Sequence, residues 1–351
     1  MRGGRDMKAA RLYSPGDLRI EEVACPVPGE GEILIKVHSA GVCGSDIPRI
    51  MVTGTYHFPC TPGHEFAGEA ASDGDGFKKG DRVVVAPLMP CFRCEMCRQG
   101  HYGQCRDYNF LGSRTDGAFA EYVKAPTRNV LHLPDTVSYE EAAVIEPAAV
   151  TIHGLYKLQL TGQERVAVFG CGAIGLLAVS LLKLVGANYI AAVDIDQEKL
   201  EMAKKLGADF VINSMKEDPI ERLHQELGGG ADAAVETAGT PITQEQCIRA
   251  VRDQGRVLYL GTAHRDVVLP PKTFERIVRG EIHTVGSWNS YSDPFPGREW
   301  TEIICFLEEG KLTFAPLVTH KFRLSQMPEV LADMAARKIP YIKVLFDMTE
   351  E

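Results

Sequence analysis

VAVFGCGAIGLLAVSLLKLVG, residues 166–186, is the stretch that decides the fold of the central part of the chain. An apolar run leads into the pattern G-x-G-x-x-G, formed by Gly170, Gly172 and Gly175, and an apolar helical stretch follows. The first glycine permits a tight turn, the second lets the backbone approach a pyrophosphate, and the third lets helix and strand pack closely. The stretch therefore predicts a strand, a turn and a helix of a dinucleotide-binding fold.

Asp194 supports this interpretation because it lies 19 residues after Gly175, at the end of the next apolar run. A carboxylate there accepts hydrogen bonds from the adenosine ribose and repels a 2′-phosphate, which favours NAD over NADP. Ala173, Ile174 and Lys199 complete the predicted cofactor contacts. The alternative is a glycine-rich turn followed by a solvated aspartate.

Between Arg165 and Ser287, short apolar runs alternate with helical stretches, a pattern typical of βαβ units and a parallel sheet. We predict an α/β, doubly wound, six-stranded Rossmann domain over residues 154–287. Its strands are expected at residues 166–169, 189–193, 209–212, 231–236, 256–260 and 282–287.

The residues before this domain contain β-rich segments that glycine and proline interrupt, which favours an antiparallel, barrel-like domain over residues 1–153. The tail, residues 288–351, is too short for a third domain, so we expect it to complete the first. A length of 351 residues also favours two domains over one.

A net charge of −9 argues against nucleic acid and against an anionic membrane as partners. No apolar run approaches the ~20 residues that span a bilayer, and the start MRGGRDMKAA lacks the apolar segment of a signal peptide. We therefore expect a cytoplasmic protein. Residues 1–6, before Met7, are interpreted as a leader.

Four cysteines, Cys91, Cys94, Cys97 and Cys105, follow the spacing C-x2-C-x2-C-x7-C. This spacing suits a closed tetrahedral zinc site, which has no free coordination position and therefore a structural role. Disulfides, free thiols and an iron–sulfur cluster are the alternatives.

A second set of potential ligands is spread over three segments. Cys43 lies in a glycine-flanked turn, His64 and Glu65 follow Pro62-Gly63, and Glu146 interrupts an apolar run. Three protein ligands with an open position are typical of catalytic zinc. Alternatively, His64 is an ordinary loop residue and Glu146 an N-terminal helix charge.

The motifs GVCGSD, GHEFAG, GAFAEYV, IEPAAV and GCGAIG, together with the four-cysteine loop, give the chain a family likeness. Over essentially its whole length it resembles the medium-chain, zinc-dependent alcohol and polyol dehydrogenases. The resemblance implies a GroES-like catalytic barrel, an active site between the two domains, and two zinc ions per subunit. It also implies a homodimer or homotetramer, in which IHTVGSW pairs across a dimer axis.

The resemblance further implies that Cys43, His64 and Glu146 hold the catalytic zinc, with Glu65 as an alternative ligand. Asp46 would orient His64 from behind.

Ser45 would place its hydroxyl beside the reacting oxygen and pass the proton outward. In the alcohol dehydrogenases of the family this relay ends in a histidine, whereas Pro48 occupies that neighbourhood here. No terminal base is therefore assigned.

Longer strings such as FLGSRTDGAFAEY most resemble family members that oxidise sugar alcohol phosphates, which implies conversion of galactitol 1-phosphate to tagatose 6-phosphate. Arg49 and Arg114 are candidate phosphate contacts, although loop arginines are often only solvated. Alternative substrates are sorbitol, arabitol phosphate and threonine. An alternative of another class is a non-catalytic, NAD-binding redox sensor.

Overall fold

The computed structural model describes residues 6–349, which form two compact units. The first unit extends to Pro147 and resumes at Tyr291, whereas the second is the continuous segment Ala148–Ser290. Apart from Asp6, the predicted leader lies outside the described residues. No helix within residues 6–349 is long and apolar enough to cross a membrane.

The described residues contain seventeen β-strands. In chain order they are β1 Asp6–Ser14, β2 Asp17–Ala24, β3 Glu32–Gly41, β4 Glu65–Ala70, β5 Arg82–Val85, β6 Leu88–Met89, β7 Asn109–Phe110, β8 Tyr122–Pro126, β9 Val130–His132, β10 Glu164–Phe169, β11 Ala187–Asp194, β12 Phe210–Asn213, β13 Ala231–Glu236, β14 Val251–Tyr259, β15 His283–Gly286, β16 Val318–Arg323 and β17 Lys343–Asp347.

Eleven α-helices occur in the same range. They are α1 Asp46–Pro48, α2 Glu95–Arg98, α3 Tyr139–Ala142, α4 Ile145–Tyr156, α5 Ala173–Leu182, α6 Gln197–Lys205, α7 Pro219–Leu227, α8 Pro241–Ala250, α9 Pro271–Arg279, α10 Arg298–Glu308 and α11 Met327–Ala335. A π-helical segment, Arg49–Thr53, continues directly from α1.

The main sheet of the first unit has the strand order β16-β17-β3-β4-β5-β9, and β8 also pairs with β3. Ile33, Ile35 and Val37 of β3 are fully buried and alternate with half-buried residues, as expected for a strand with one face on a core. Strand β17 pairs antiparallel with β3, with Leu345 opposite Gly41. The C-terminal tail thus completes the N-terminal domain, as predicted.

The second unit is built on six parallel strands in the order β12-β11-β10-β13-β14-β15. This order confirms the predicted doubly wound fold. Every residue of the central strand β13 is buried, because strands inside a parallel sheet are covered on both faces. The order reverses between β10 and β13, so the loops that follow these two strands meet at one edge, where such sheets bind ligands.

Candidate active site and nucleotide site

The antiparallel pairing of β3 and β4 brings together the segments that carry Cys43 and His64. Gly41 of β3 lies opposite Glu65 of β4, so Cys43 follows one strand where His64 precedes the other. One potential ligand atom of each of Cys43, His64 and Glu65 lies within 4.8 Å of the other two. Gly63 has φ +95°, and a Cβ there would lie 2.5 Å from Phe119, so only glycine fits the turn before His64.

Asp46 stands behind this cluster and is completely buried. Its carboxylate accepts hydrogen bonds from the backbone N–H of Cys43 at 3.1 Å and from Nη1 of Arg49 at 3.0 Å. Oδ1 of Asp46 also lies 3.3 Å from Nδ1 of His64, although that nitrogen has no well-aligned hydrogen bond. The contact is therefore mainly electrostatic, and it leaves Nε2 of His64 as the ring nitrogen available to a metal.

The pKa values of Asp46 and His64 reflect this pairing. Burial by itself raises the pKa of Asp46, but the His64 ring and the Arg49 guanidinium hold it below its usual value. Burial lowers the pKa of His64, yet the Asp46 carboxylate and the Cys43 sulfur raise it well above its usual value. Both shifts indicate that the negative groups around His64 favour a cation at this point.

Glu65 is paired with Lys343, the first residue of β17. The Nζ of Lys343 contacts Oε2 of Glu65 and donates a hydrogen bond to the carbonyl of Val42 at 3.0 Å. Both side chains are buried, with 3% exposure for Lys343 and 1% for Glu65. Burial lowers the pKa of Lys343, but Glu65 and Cys43 outweigh it and keep the ammonium charged.

Glu146 is buried near the same cluster, in the first turn of α4. Burial, with Glu65 as a further contribution, raises its pKa to about 7, although His64 acts in the opposite direction. The four predicted zinc ligands therefore do not all lie equally close to one another. The set within 4.8 Å contains Glu65 beside Cys43 and His64, and Glu146 is not part of it.

The donor chemistry of this cluster fits a zinc ion. The carboxylates of Asp46, Glu65 and Glu146 are buried around Cys43 and His64, and Arg49 and Lys343 are paired with the first two. The raised pKa values of Glu146 and His64 mean that the cluster retains protons, which a divalent cation can replace. One sulfur, one imidazole and one carboxylate are also a ligand combination suited to zinc.

The hydroxyl of Ser45 points to this cluster, because its Oγ donates a hydrogen bond to the sulfur of Cys43 at 3.2 Å. Ser45 is exposed. A hydroxyl that contacts both a proposed metal ligand and solvent can pass a proton from the site to water.

The four-cysteine loop brings its sulfur atoms together without disulfides. The Sγ atoms of Cys91 and Cys97 are 4.0 Å apart, those of Cys94 and Cys97 3.5 Å, and those of Cys94 and Cys105 3.9 Å. A disulfide needs about 2.05 Å, whereas a tetrahedron with Zn–S bonds of about 2.3 Å has edges of about 3.8 Å. The geometry thus fits a zinc ion with four thiolate ligands.

The backbone of this loop also prepares it for thiolates. Cys91 and Cys94 donate their N–H groups to the sulfur atoms of Cys105 and Cys91, at 3.2 and 3.3 Å. The N–H of Arg106 is the main cause that lowers the pKa of Cys94 to about 6, whereas burial raises that of Cys97 to about 12. A cation is needed before all four can be thiolates together.

The predicted nucleotide loop has the geometry that its glycines require. Gly170 has φ +93°, and a Cβ on Gly175 would lie 1.8 Å from the carbonyl oxygen of Gly170. Asp194 accepts the N–H of Cys171 at 2.5 Å, which ties the end of β11 to this loop. Ala173 and Ile174 form the first turn of α5, whose free N–H groups can face an anion, and half-buried Lys199 lies in α6.

Glu236, at the end of β13, organises the second loop at this edge. Its Oε1 accepts hydrogen bonds from the N–H groups of Ala238 and Gly239, both at 2.9 Å, and from the hydroxyl of Thr243 at 2.7 Å. Thr237 in turn donates to the carbonyl of Gly170 at 2.8 Å. Burial raises the pKa of Glu236. This carboxylate therefore fixes the loop that packs against the glycine fingerprint.

The two candidate phosphate contacts differ. Arg49 is bound to the buried Asp46 and so has a structural partner. The guanidinium of Arg114 instead lies over the rings of Tyr56 and Tyr108, at 3.9 and 4.4 Å from their centroids. Nη1 of Arg49 is thus engaged by a protein carboxylate, whereas the guanidinium of Arg114 has no hydrogen-bond acceptor among residues 6–349.

Comparison with known proteins agrees with this geometry. Residues 29–135 match the alcohol dehydrogenase GroES-like domain, and residues 173–309 match the zinc-binding dehydrogenase family. Galactitol 1-phosphate 5-dehydrogenase of Escherichia coli (strain K12) is 37% identical over 340 residues, which cover 95% of this chain and 98% of the relative. Sorbitol dehydrogenase of Bacillus subtilis (strain 168) is 36% identical over 353 residues, with 97% of each chain covered.

The chain belongs to the zinc-type medium-chain alcohol and polyol dehydrogenases. This family membership makes it an oxidoreductase, which counts against a non-catalytic redox sensor.

Solved structures of this dehydrogenase family share the fold. Galactitol-1-phosphate dehydrogenase from Escherichia coli superposes with a TM-score of 0.91 at 36% identity, covering 97% of this chain and 100% of that one. The alcohol dehydrogenase rspB from Escherichia coli CFT073, in complex with NADH, gives 0.88 at 28% identity, with 98% and 100% covered.

Two functional groups were missed by the sequence reasoning, namely Lys343 and Glu236. Each carries a weak signal, because each is a charged residue at one end of an apolar strand, in KVLFD and ADAAVE. A charge at a strand end is usually solvated, so the pattern alone does not indicate burial.

The four-cysteine site gives a prediction for metal content. We expect the wild-type protein to hold two zinc ions per chain and Cys94→Ser to hold one, because three sulfurs and a hydroxyl make a weaker tetrahedral site. Mass spectrometry of the purified metal content measures this. Cys305→Ser, at an exposed cysteine, is the matched control and should keep both ions. An unchanged count in Cys94→Ser would contradict the assignment.

The Glu65–Lys343 pair gives a prediction for stability. Lys343→Met should lower the free energy of unfolding by about 3–5 kcal/mol, because it leaves a buried carboxylate without its partner. The double variant Lys343→Met/Glu65→Gln should recover part of that loss. Urea unfolding followed by circular dichroism measures both.

Lys338→Met is the matched control for this cycle. Lys338 forms an exposed ion pair with Asp333 at 2.9 Å, so its loss should cost less than about 1 kcal/mol. Equal losses of unfolding free energy in Lys343→Met and Lys338→Met would show that the buried ion pair contributes no more to stability than the exposed one.

Proposed function

We propose that this dehydrogenase oxidises a secondary hydroxyl of galactitol 1-phosphate with NAD, giving tagatose 6-phosphate. The observation that carries the proposal is the cluster of Cys43, His64 and Glu65, with ligand atoms within 4.8 Å of one another. The choice of substrate is supported by the similarity over 95% of the chain to galactitol 1-phosphate 5-dehydrogenase.

In this proposal Cys43 and His64 hold the catalytic zinc together with Glu65 or Glu146. When bound, such an ion acts as a Lewis acid that lowers the pKa of a substrate hydroxyl toward neutrality. Asp46 keeps the ring of His64 in position through its contact with Nδ1. Because Lys343 forms an ion pair with the carboxylate of Glu65, Glu65 and Glu146 are not equivalent as ligands of the ion.

Ser45 would accept the proton of the substrate hydroxyl at Oγ and at the same time give up its own hydroxyl proton to water. Its Oγ lies 3.2 Å from the Cys43 sulfur and is exposed, so the proton can leave to solvent from there. Pro48 offers no acidic or basic group for a further relay step. Release to water at Ser45 is therefore the proton path that these residues allow.

Gly170, Gly172 and Gly175, with the first turn of α5, would hold the pyrophosphate of NAD, whose nicotinamide ring accepts a hydride. Asp194 would accept hydrogen bonds from the ribose hydroxyls. Its negative charge disfavours the 2′-phosphate of NADP. Glu236 and Thr237 keep the neighbouring loop in place beside the glycines.

Sorbitol is the second candidate substrate, because sorbitol dehydrogenase of Bacillus subtilis is 36% identical, almost as similar as the galactitol phosphate enzyme. The two readings differ in one chemical group, the phosphate. They are separated by a direct comparison of phosphorylated and free polyols.

We also propose a homodimer or homotetramer built on the exposed edge strand β15. The segments that precede and follow it in the chain carry exposed apolar side chains, namely Val268 at 74%, Phe274 at 57%, Val278 at 63% and Trp288 at 58%. Light scattering should give two or four times the chain mass of 38.5 kDa. A charge in the patch, in Trp288→Asp, should shift the mass toward one chain, and a monomeric wild type would contradict the proposal.

The activity itself gives the main prediction. Zinc-loaded enzyme should form NADH from galactitol 1-phosphate with a kcat/KM at least about tenfold above that for sorbitol, since a charged hydrogen bond is worth roughly 1.5–3 kcal/mol. NADP should be the poorer cofactor. Absorbance of NADH at saturating cofactor measures both.

Cys43→Ala tests the role of the cluster in the same assay. It should lose nearly all turnover while it still binds NADH, which can be followed by nucleotide fluorescence. Cys305→Ala is the control and should keep its activity. Full turnover in Cys43→Ala would rule out the proposed site.

A further inference from the structure

The guanidinium of Arg114 has no hydrogen-bond acceptor among residues 6–349. Its Nε is buried and has no hydrogen-bond partner, and no other residue among 6–349 forms an ion pair with its guanidinium. Its contacts are the rings of Tyr56 and Tyr108. Stacking uses the face of a guanidinium and leaves its in-plane N–H groups free. Buried donors without an acceptor are rare in native proteins and call for an explanation.

The positive charge of Arg114 is not balanced by the other charged residues that line the same cavity. A cavity of about 640 Å³ is lined by Tyr56, His57, Arg93, Asp107, Tyr108 and Arg114, among others. Arg93 is already paired with Asp107 at 2.7 Å, so these two charges cancel. Arg114 is therefore the arginine in this cavity whose charge is not neutralised by a protein carboxylate.

Backbone contacts connect Arg114 to the candidate zinc cluster. The N–H of Arg114 donates to the carbonyl of Phe110 at 3.0 Å, and the ring of Phe110 packs edge-on against that of His64, with centroids 5.5 Å apart. Tyr56 is joined to the same loop, because its N–H donates to the carbonyl of Ser113 at 3.2 Å. The guanidinium thus sits one short loop away from a proposed metal ligand.

We infer that Arg114 binds the phosphate of the substrate, an inference that rests on the proposed function. In a hexitol 1-phosphate that is oxidised near its other end, the phosphate lies several bonds from the reacting hydroxyl. Its contact must therefore lie outside the metal ligands and in an adjacent loop. The planar edge of a guanidinium matches two oxygens of a phosphate, and the two tyrosine rings fix its orientation before the substrate arrives.

Arg114→Gln tests the inference, because glutamine keeps a polar side chain but removes the charge and the fork of donors. The value of kcat/KM for galactitol 1-phosphate should fall roughly 10- to 150-fold, mainly through KM. For free galactitol it should change less than about twofold, since that substrate has no phosphate to lose. Steady-state formation of NADH on both substrates gives the ratio.

Arg128→Gln is the matched control, because Arg128 also stacks on an aromatic ring, 4.9 Å from the centroid of Phe92, and does not line this cavity. Its ratio of phosphorylated to free substrate should equal that of the wild type. An equal loss on both substrates in Arg114→Gln would show that its stacking is structural, and the inference would be overturned.

A binding measurement separates this inference from the proposed function. Calorimetric titration of the zinc-loaded enzyme with inorganic phosphate should give a Kd that rises at least about tenfold in Arg114→Gln and stays unchanged in Arg128→Gln. If the wild type oxidises phosphorylated and free polyols equally well, the proposed substrate is wrong. The assignment of Arg114 as an anion contact is wrong if phosphate binds equally to wild type and Arg114→Gln.

Discussion

The cost of burying charge is the constraint on which the first unit depends. Asp46, Glu65, Glu146 and Lys343 are all less than about one-tenth exposed, although ionised groups in an apolar interior lose several kcal/mol of hydration each. Asp46 is compensated by Arg49 and by a backbone N–H, and Glu65 by Lys343. Glu146 has the weakest compensation, which is why its pKa rises. These groups are tolerable only as a set, and a bound cation completes the set.

The same constraint shapes the second unit, where carboxylates at strand ends hold loops and neighbouring strands. Asp232, at the start of β13, accepts the N–H of Arg165 at 2.7 Å and the side chain of Arg252 at 2.6 Å. Burial opposes its ionisation, but these partners lower its pKa to about 2. Glu236 at the other end of the strand fixes the loop beside the glycine fingerprint. Strand β13 thus has an acidic residue near each end, and each carboxylate accepts backbone N–H groups that it holds in position.

Much of the fold could be predicted because it follows from local patterns. The six parallel strands appear as short apolar runs, and the glycine spacing from Gly170 to Gly175 is dictated by contacts within one turn. The cysteine spacing likewise reflects a closure over fifteen residues, from Cys91 to Cys105. Where a site is assembled from neighbours in sequence, its residue types and their intervals are sufficient.

The partner of Glu65 could not be predicted in this way, since Lys343 lies 278 residues further along the chain. Only the pairing of β17 with β3 brings it to the cluster, and strand pairing over such a separation leaves no periodicity in the sequence. The difference between Arg49 and Arg114 was equally hidden. Both are loop arginines, and only the contacts with Asp46 and with the tyrosine rings distinguish them.

The discontinuity of the first unit has a consequence for the order of events on the ribosome. At about 5–20 residues per second, Lys343 is made tens of seconds after Glu65. During that interval the continuous segment Ala148–Ser290 can complete its sheet. The carboxylate of Glu65, by contrast, must stay hydrated because its partner Lys343 has not yet been made. The metal-binding half is therefore expected to close last, when the final strand emerges and brings its ammonium group.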